Sequence, residues 1–353
     1  MRQGPAGSPF QTKVVYSILV SLLLFGACQF GLVSRDMSIL SDRRVELEDE
    51  IQKAEHRLSE LGREKWAKER DAYRLGRRVK ELENRLRGSR SKVNANASLP
   101  TLYIITPTNP RPTQKADLTR FSYTLMQVPN VMWIVVEDTD KGPSSLVHGV
   151  LHRSGLQYVH MTAVTPPDFK RGQDEPNWLK PRGVEQRNTG LRWLRKNLSP
   201  EASKGVVYFA DDDNTYDIRI FQEMRKVESV GVWPVGLAGE LMAEGPRVEG
   251  EKVVGWVTAW KPQRPFPIDM AAFAVNLRLI LSHIHTEFSW DVPRGYQESH
   301  LLTGLGVQME HLQPLGQQYN EILVWHTRTE KPKFRGEVKL NQQGIHSNFG
   351  KEL

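Results

Sequence analysis

Residues 205–216 read GVVYFADDDNTY. An unbroken apolar run, Gly205–Ala210, stops at three consecutive carboxylates, Asp211, Asp212 and Asp213. A run that short and continuous reads as a strand buried on both faces, with the carboxylates at its C-terminal end. Two upstream runs resemble it. Leu102–Thr106 (LYIIT) stops at Pro107, and Val131–Val136 (VMWIVV) runs into Glu137-Asp138. Val230–Val235 and Ile322–Trp325 are further expected strands. Helical patterns near 113–127, 143–154, 183–197, 217–228 and 297–305 lie between them. Strands alternating with helices predict an α/β domain with a mostly parallel sheet covered on both faces. No repeat and no linker breaks residues 100–353.

The N-terminal third has another texture. Val14–Val33 holds 20 residues without a charge, long enough as a helix to cross the roughly 30 Å of a bilayer core. The expectation is an uncleaved signal anchor over 14–33, with 1–13 as a cytosolic tail carrying Arg2 and Lys13. A cleaved signal peptide is the rival reading. Residues 35–92 are charged and free of proline. From Leu40 an alternating four-three spacing runs to Leu86, and eleven of its fourteen positions are apolar. That predicts a coiled-coil stem within 34–98 that pairs two copies, interrupted at Arg44, Lys65 and Lys68. A soft linker from Gly88 to Leu99 is expected to end it, and 99–353 would form the lumenal domain. Sequons at Asn96 and Asn197 are candidate glycosylation sites on that side.

Charge narrows the partners. The chain carries 48 basic and 41 acidic residues, net +7. Residues 1–92 hold 19 and 13 of these, a balance of +6, and residues 93–353 hold 29 and 28, a balance of +1. A nearly neutral globular part excludes a nucleic-acid footprint. Cys28 is the single cysteine, so no intrachain disulfide forms.

Strand ends carry the candidate chemistry. Three adjacent carboxylates repel one another unless a cation sits among them, and oxygen ligands select hard ions such as Mn²⁺ or Mg²⁺. In open α/β sheets the C-terminal strand edge binds ligands. An acidic solvated turn with a capping Asp before the helix near 217 is the competing reading. Pro181–Asn188 (PRGVEQRN) opens a helix with Arg182 and Arg187 near its N-terminus, suited to a diphosphate or simply exposed. His326 and Arg328 at the end of the last strand could neutralise a leaving group, or be an ordinary strand end. Glu298, in the first turn of the helix near 297–305, is either a dipole-stabilising residue or a base aimed at an acceptor hydroxyl.

Several long words in series resemble the β1,3-glucuronosyltransferases of glycosyltransferase family 43. They are PT-x-x-R from Pro107, QKA-x-L-TR from Gln114, WIVVED from Trp133, PRGVEQRN from Pro181, VVYFADDDNTY from Val206, WPVGL from Trp233, RPFPIDMA-x-FAV from Arg264, GYQES from Gly295 and LVWHTRTEKP from Leu323. They keep their order over nearly all of 100–335. The resemblance implies a single glycosyltransferase A-type, Rossmann-like domain on a type II anchor in the Golgi membrane, as a homodimer. It implies transfer of glucuronic acid from UDP-glucuronate to a terminal galactose with Mn²⁺. Asp213 would ligate the metal, with Asp211 and Asp212 on the ribose side. Asp138 would contact uracil, and Arg182 and Arg187 the nucleotide and glucuronate. His326 would meet the diphosphate, with Arg294 and Arg328 beside the donor. Glu244, Trp260, Arg264 and Asp269 would wall the acceptor and glucuronate, and Glu298 would be the general base. One position departs. The family carries a uracil-stacking Tyr where Asn109 stands.

An α-linked donor and a β-linked product require inversion in one displacement, hence one base and no nucleophile. Trp260, Glu244-Gly245-Pro246 and Pro293-Arg294-Gly295 resemble enzymes acting on the Galβ1-3Galβ1-4Xyl linker of proteoglycans. Tyr296–Ser299 and Phe273–Leu281 resemble those acting on N-acetyllactosamine. A tethered sugar-binding module with a weakened catalytic fold is the alternative of another class.

Overall fold

The computed structural model describes residues 9–94, 99–170, 172, 175, 180–201, 203–316, 320–349 and 351. Met1–Gly88 and Ser89–Leu353 form two compact units. The first is built on one helix, α1 (Pro9–Asn94). It does not stop at Gly88, as the linker expectation required. One glycine costs only about 1 kcal/mol, and the Arg, Ser and Lys that follow are ordinary helix residues. Described seam positions Leu47, Ile51, Leu58, Leu61, Leu75 and Val79 are exposed, whereas Leu40, Leu82 and Leu86 lie outside the described side chains. Among the described residues, no helix is long and apolar enough to cross a membrane. Val15 and residues 30–33 of the expected anchor are outside the described side chains, and residues 1–8 and the Asn96 sequon are outside the described residues.

The second unit opens on strand–helix alternation: β1 (Thr101–Thr108), α2 (Gln114–Leu125), β2 (Val131–Glu137), α3 (Ser145–Ser154), β3 (Gln157–Thr162), α4 (Val184–Asn197) and β4 (Gly205–Phe209). Next come β5 (Thr215–Tyr216), α5 (Ile218–Met224), β6 (Val230–Val232), β7 (Val235–Gly236), β8 (Ala243–Glu249), β9 (Lys252–Val257) and β10 (Phe273–Asn276). The chain closes with α6 (Leu277–Ser282), α7 (Gln297–Gly304), β11 (Leu312–Pro314), β12 (Val324–Trp325) and α8 (Arg335–Asn341). A seven-stranded sheet has the order β11-β6-β10-β4-β1-β2-β3. Its pairs are parallel except those of β10, which runs antiparallel to both β4 and β6.

The expected strand 230–235 is two strands. Pro234 has no N–H to donate to a ladder, so the chain leaves the large sheet after β6. It enters a second sheet, β5-β12-β7-β8-β9, in which β7 pairs parallel with β12 and the other strands pair antiparallel among the described residues. The helix expected over 217–228 ends at Met224. β1, β2 and β4 form the core of the large sheet. Trp133 is fully buried with its Nε1 donating to Thr106 Oγ1 at 2.9 Å, and Phe121 meets it edge-on. Burying each such ring contributes about 1.5–3 kcal/mol. Because β1, β2 and β4 are parallel and in register, Thr108, Asp138 and the Asp211–Asp213 triplet emerge along one edge.

Candidate active site

Each of the three aspartates has a distinct environment. Asp211 follows Ala210, whose N–H still donates to Ile105. Its Oδ1 accepts from Arg187 Nη2 at 2.5 Å, and its carbonyl accepts from Tyr216 Oη at 2.8 Å. Arg187 is 6% exposed and also donates to the Arg182 carbonyl at 2.8 Å, while its guanidinium lies against the Phe288 ring. Of the two arginines at the start of α4, one therefore faces inward and Arg182 is exposed. Gly183 makes this turn possible. It sits at φ +73°, and a Cβ there would lie 2.7 Å from the Arg187 guanidinium.

Asp212 points into the protein. Oδ2 accepts from Thr108 Oγ1 at 2.6 Å and Oδ1 from Arg111 Nη2 at 2.7 Å. Burial raises its carboxyl, opposed by Arg111 and Thr108. The same Arg111 nitrogen donates to Asp117 at 2.9 Å, and Gln114 donates to Thr108. Asp213 is stitched to the segment after β12. Thr329 N–H donates to its Oδ2 at 3.3 Å, and its carbonyl accepts from Thr327 Oγ1 at 2.7 Å and from Arg120 at 3.2 Å. Burial raises the Asp213 carboxyl, and the Asp211 charge raises it further. The capping Asp of the following helix is Asp217, not a member of the triplet.

Among the described residues, no three of His, Cys, Asp and Glu converge as a cage for a metal. What remains is a pair of mutually repelling carboxylates, Asp211 and Asp213. That donor set suits a hard divalent ion taking its other oxygens from a diphosphate and water.

A second cluster forms where the two sheets meet. Asp269 precedes β10 and uses both carboxylate oxygens. Oδ1 accepts from Ala271 N at 2.9 Å, and Oδ2 meets His326 Nδ1 at 2.7 Å. Tyr208 Oη and Trp233 Nε1 both donate to the Ala271 carbonyl, at 3.0 and 2.8 Å, and so fix this turn. Burial alone would lower the His326 pKa, but Asp269 lifts it to about 9. The imidazole is therefore cationic at neutral pH. Arg328, two residues on, is exposed.

Glu298 lies in the first turn of α7. Its Oε2 is buried with no hydrogen-bond partner. Burial pushes the carboxyl up to about 7, with Asp269 adding to the rise and Arg264 and Arg187 opposing it. Arg264 is 6% exposed and donates to the Gly295 and Trp260 carbonyls at 2.9 and 3.2 Å. Trp260 carries cations around its ring, with Arg264 at 4.8 Å and Lys261 and Arg294 at 5.1 Å. Gly295, at φ +82°, lets that ring approach; a Cβ would lie 1.9 Å from it. Glu244 is buried beneath, its carboxyl raised by burial and held by the Thr258 hydroxyl.

The structure thus gathers Glu244, Arg264, Asp269, Glu298 and His326 into one electrostatic neighbourhood, and couples Arg187 to Asp211. Asp138 is turned toward Thr165, whose N–H and hydroxyl donate to its two oxygens at 2.9 and 2.6 Å. Asn197 closes α4, exposed, with Nδ2 donating to the Trp193 carbonyl at 2.8 Å. Sequence reasoning assigned no role to Arg111, Asp117 or Thr329. Arg111 and Thr329 stand in the words PT-x-x-R and WHTRTEKP, whereas Asp117 is the open position of QKA-x-L-TR and carried no signal.

The model of Glycosyltransferase family 43 matches residues 121–330. The chain is 47% identical over 320 residues to Galactosylgalactosylxylosylprotein 3-beta-glucuronosyltransferase sqv-8 of Caenorhabditis elegans, covering 90% of this chain and 89% of that protein. It is 50% identical over 260 residues to Galactosylgalactosylxylosylprotein 3-beta-glucuronosyltransferase 3 of Homo sapiens, covering 71% and 77%. It is 48% identical over 262 residues to Galactosylgalactosylxylosylprotein 3-beta-glucuronosyltransferase I of Drosophila melanogaster, covering 72% and 85%.

Proposed function

This chain belongs to glycosyltransferase family 43, and from that premise we propose that it is an inverting glucuronosyltransferase. The reaction moves glucuronic acid from UDP-glucuronate to the 3-hydroxyl of the terminal galactose of Galβ1-3Galβ1-4Xyl. The activity named for its relatives supports this acceptor. The observation that carries the chemistry is the enclosed Glu298 carboxyl, pushed up to about 7. A base with a pKa near the working pH is both deprotonated and able to hold a proton.

The acceptor sugar would pack on the Trp260 ring, held in place by Gly295 and Arg264. Glu298 takes the proton of the attacking hydroxyl as that oxygen bonds the anomeric carbon. On the opposite face the bond to the diphosphate oxygen breaks and its electrons leave with UDP. Charge growing on that oxygen meets the His326 cation, which Asp269 keeps protonated. Arg187, fixed by Asp211, supplies a buried cation on the donor side. Asp213, with Asp211 beside it, would hold Mn²⁺, which supplies Lewis-acid neutralisation of the diphosphate.

We further infer that residues 14–33 anchor the chain in the Golgi membrane as a type II protein with its catalytic domain lumenal. The uncharged run supports the anchor, and the exposed seam of α1 supports pairing with a second copy. The acceptor assignment is tested by offering UDP-glucuronate and Mn²⁺ with Galβ1-3Gal-terminated or N-acetyllactosamine acceptors. Faster transfer to the former is expected. Equal or faster transfer to lactosamine would overturn the assignment, and no transfer to either would overturn the enzyme reading.

A further inference from the structure

Phe288 and Ser289 lie between the two helices that carry the donor-side cation and the base. Asn188 follows Arg187 on α4 and is buried, with its whole amide committed to the main chain of Phe288. Its Nδ2 donates to the Phe288 carbonyl at 2.9 Å, and its Oδ1 accepts from the Phe288 N–H at 2.8 Å. Gln297 precedes Glu298 on α7, and its Nε2 donates to the Ser289 carbonyl at 2.6 Å. Each functional side chain thus has an amide as its neighbour in sequence, and both amides grip one dipeptide. The Phe288 ring meets Phe209 edge-on at 5.0 Å and faces the Arg187 guanidinium at 5.9 Å. Other ties hold the flanks. Arg195 donates to the His283 and Thr286 carbonyls, and the Thr286 hydroxyl to the Gly304 carbonyl. Beyond the dipeptide, Trp290 stacks on Phe169 at 4.5 Å. These contacts act before and after Phe288–Ser289, not on its main chain.

The geometry points to Asn188 and Gln297 as positioning residues that set the separation of Arg187 and Glu298 through the Phe288–Ser289 main chain. The peptide unit between the two residues is planar. Fixing Phe288 at both its polar groups and Ser289 at its carbonyl therefore leaves the pair little freedom. Among short side chains, a carboxamide offers a donor and an acceptor side by side, which is what the Phe288 main chain takes. A single inverting displacement needs the attacking oxygen and the anomeric carbon in contact, and an error of about 1 Å costs up to about 10²-fold. Arg187 serves one reactant and Glu298 the other, and the tie makes one frame of their helices. The inference rests on the proposed transfer reaction and adds to it two side chains that act through the main chain.

A double-mutant cycle on the full chain tests it. Asn188→Ala, Gln297→Met and the double variant are compared with wild type. Melting curves and calorimetric titration with UDP and Mn²⁺ report the fold and the fraction of binding-competent protein. Initial rates with UDP-glucuronate and a Galβ1-3Gal acceptor give kcat and the KM of each substrate. Each single variant should lower kcat per competent site by about 10–100-fold. UDP affinity and both KM values should stay within about 3-fold, the pattern of an interaction that matters only in the transition state. The double variant should be no slower than the slower single one, since either cut frees the dipeptide. Loss of stability alone lowers the competent fraction and leaves kcat per competent site as it was. Wild-type kcat in either single variant would overturn the inference. So would multiplied losses in the double variant, which would mean two unconnected roles, or a UDP affinity that falls as far as kcat. If Asn188→Ala does not melt cooperatively, the half-buried Gln297→Met decides on kcat alone. Wild-type chain that binds UDP but transfers to no acceptor would instead sink the transfer reading on which the inference rests.

Discussion

Replacing Glu298 by Gln separates chemistry from stability in one protein sample. The carboxyl has a pKa of about 7 in the fold against 4.5 ordinarily. At about 1.4 kcal/mol per pH unit the difference corresponds to about 3.5 kcal/mol. Solvent at the half-buried residue reduces that to about 2–3 kcal/mol. The sign follows from a folded pKa above the unfolded one. Stability is fully present below pH 4.5 and is lost as pH rises through 7. Glu298→Gln has no charge to enclose, so above pH 7.5 it should melt about 5–10 °C higher than wild type. By pH 5 the gap should shrink to less than about 1 kcal/mol. The same variant should lose turnover by about 10²–10⁴-fold while still binding UDP. Melting curves at pH 5 and 8, with initial rates at pH 7.5, measure both effects. A melting gap independent of pH, or turnover close to wild type, would refute the enclosed-base assignment. A lowered melting point with intact turnover would return Glu298 to the role of a residue stabilising the start of α7.

Other perturbations test the neighbouring groups. Asp213→Ala should abolish transfer yet leave the melting temperature of metal-free protein unchanged or higher, because it removes a buried charge that Asp211 opposes; activity surviving at saturating Mn²⁺ would exclude it as the metal ligand. Transfer should decline above about pH 9, as His326 loses its proton, and His326→Gln should flatten that alkaline limb on a pH–rate profile. Asn109→Tyr should lower the donor KM through a stacking contact of about 1 kcal/mol. Arg111 meets the Asn109 carbonyl as well as its side chain, so the main-chain contact survives the change; an unchanged or raised KM would mean that another group covers uracil.

The strands that set the fold were legible because buried parallel strands are written as continuous apolar runs, as in β1, β2 and β4. The second sheet was legible only in part. β12 lies within the strand expected over Ile322–Trp325, but β5 and β7 have two residues each, and β8 (AEGPRVE) carries a Pro and charges on a half-exposed hairpin. The start of a strand at Phe273 was hidden in a word read for family likeness. Site residues were legible where the chain places them in one word, as with Asp211–Asp213 or His326 and Arg328. What escaped was contact across sequence. Arg111 and Asp212 are 101 residues apart, and Thr329 and Asp117 are 212 apart. The Glu298 environment was likewise invisible, since a lone Glu in a first helical turn looks the same whether solvent or Asp269 and Arg264 surround it.

The reversed strand β10 has a bearing on how such an enzyme diversifies. Segments leaving β1, β2 and β4 deliver their residues to the ligand edge after the strand is complete, so any change in loop length displaces them. Asp269 is delivered to the same edge before its strand, pinned by the turn that Tyr208 and Trp233 hold. The segment between Asn276 and Arg294, which includes α6, can then be lengthened or recomposed while the Asp269–His326 pair stays in place. Acceptor choice becomes free to drift in descendants of this chain without a matching drift in how the leaving group is met.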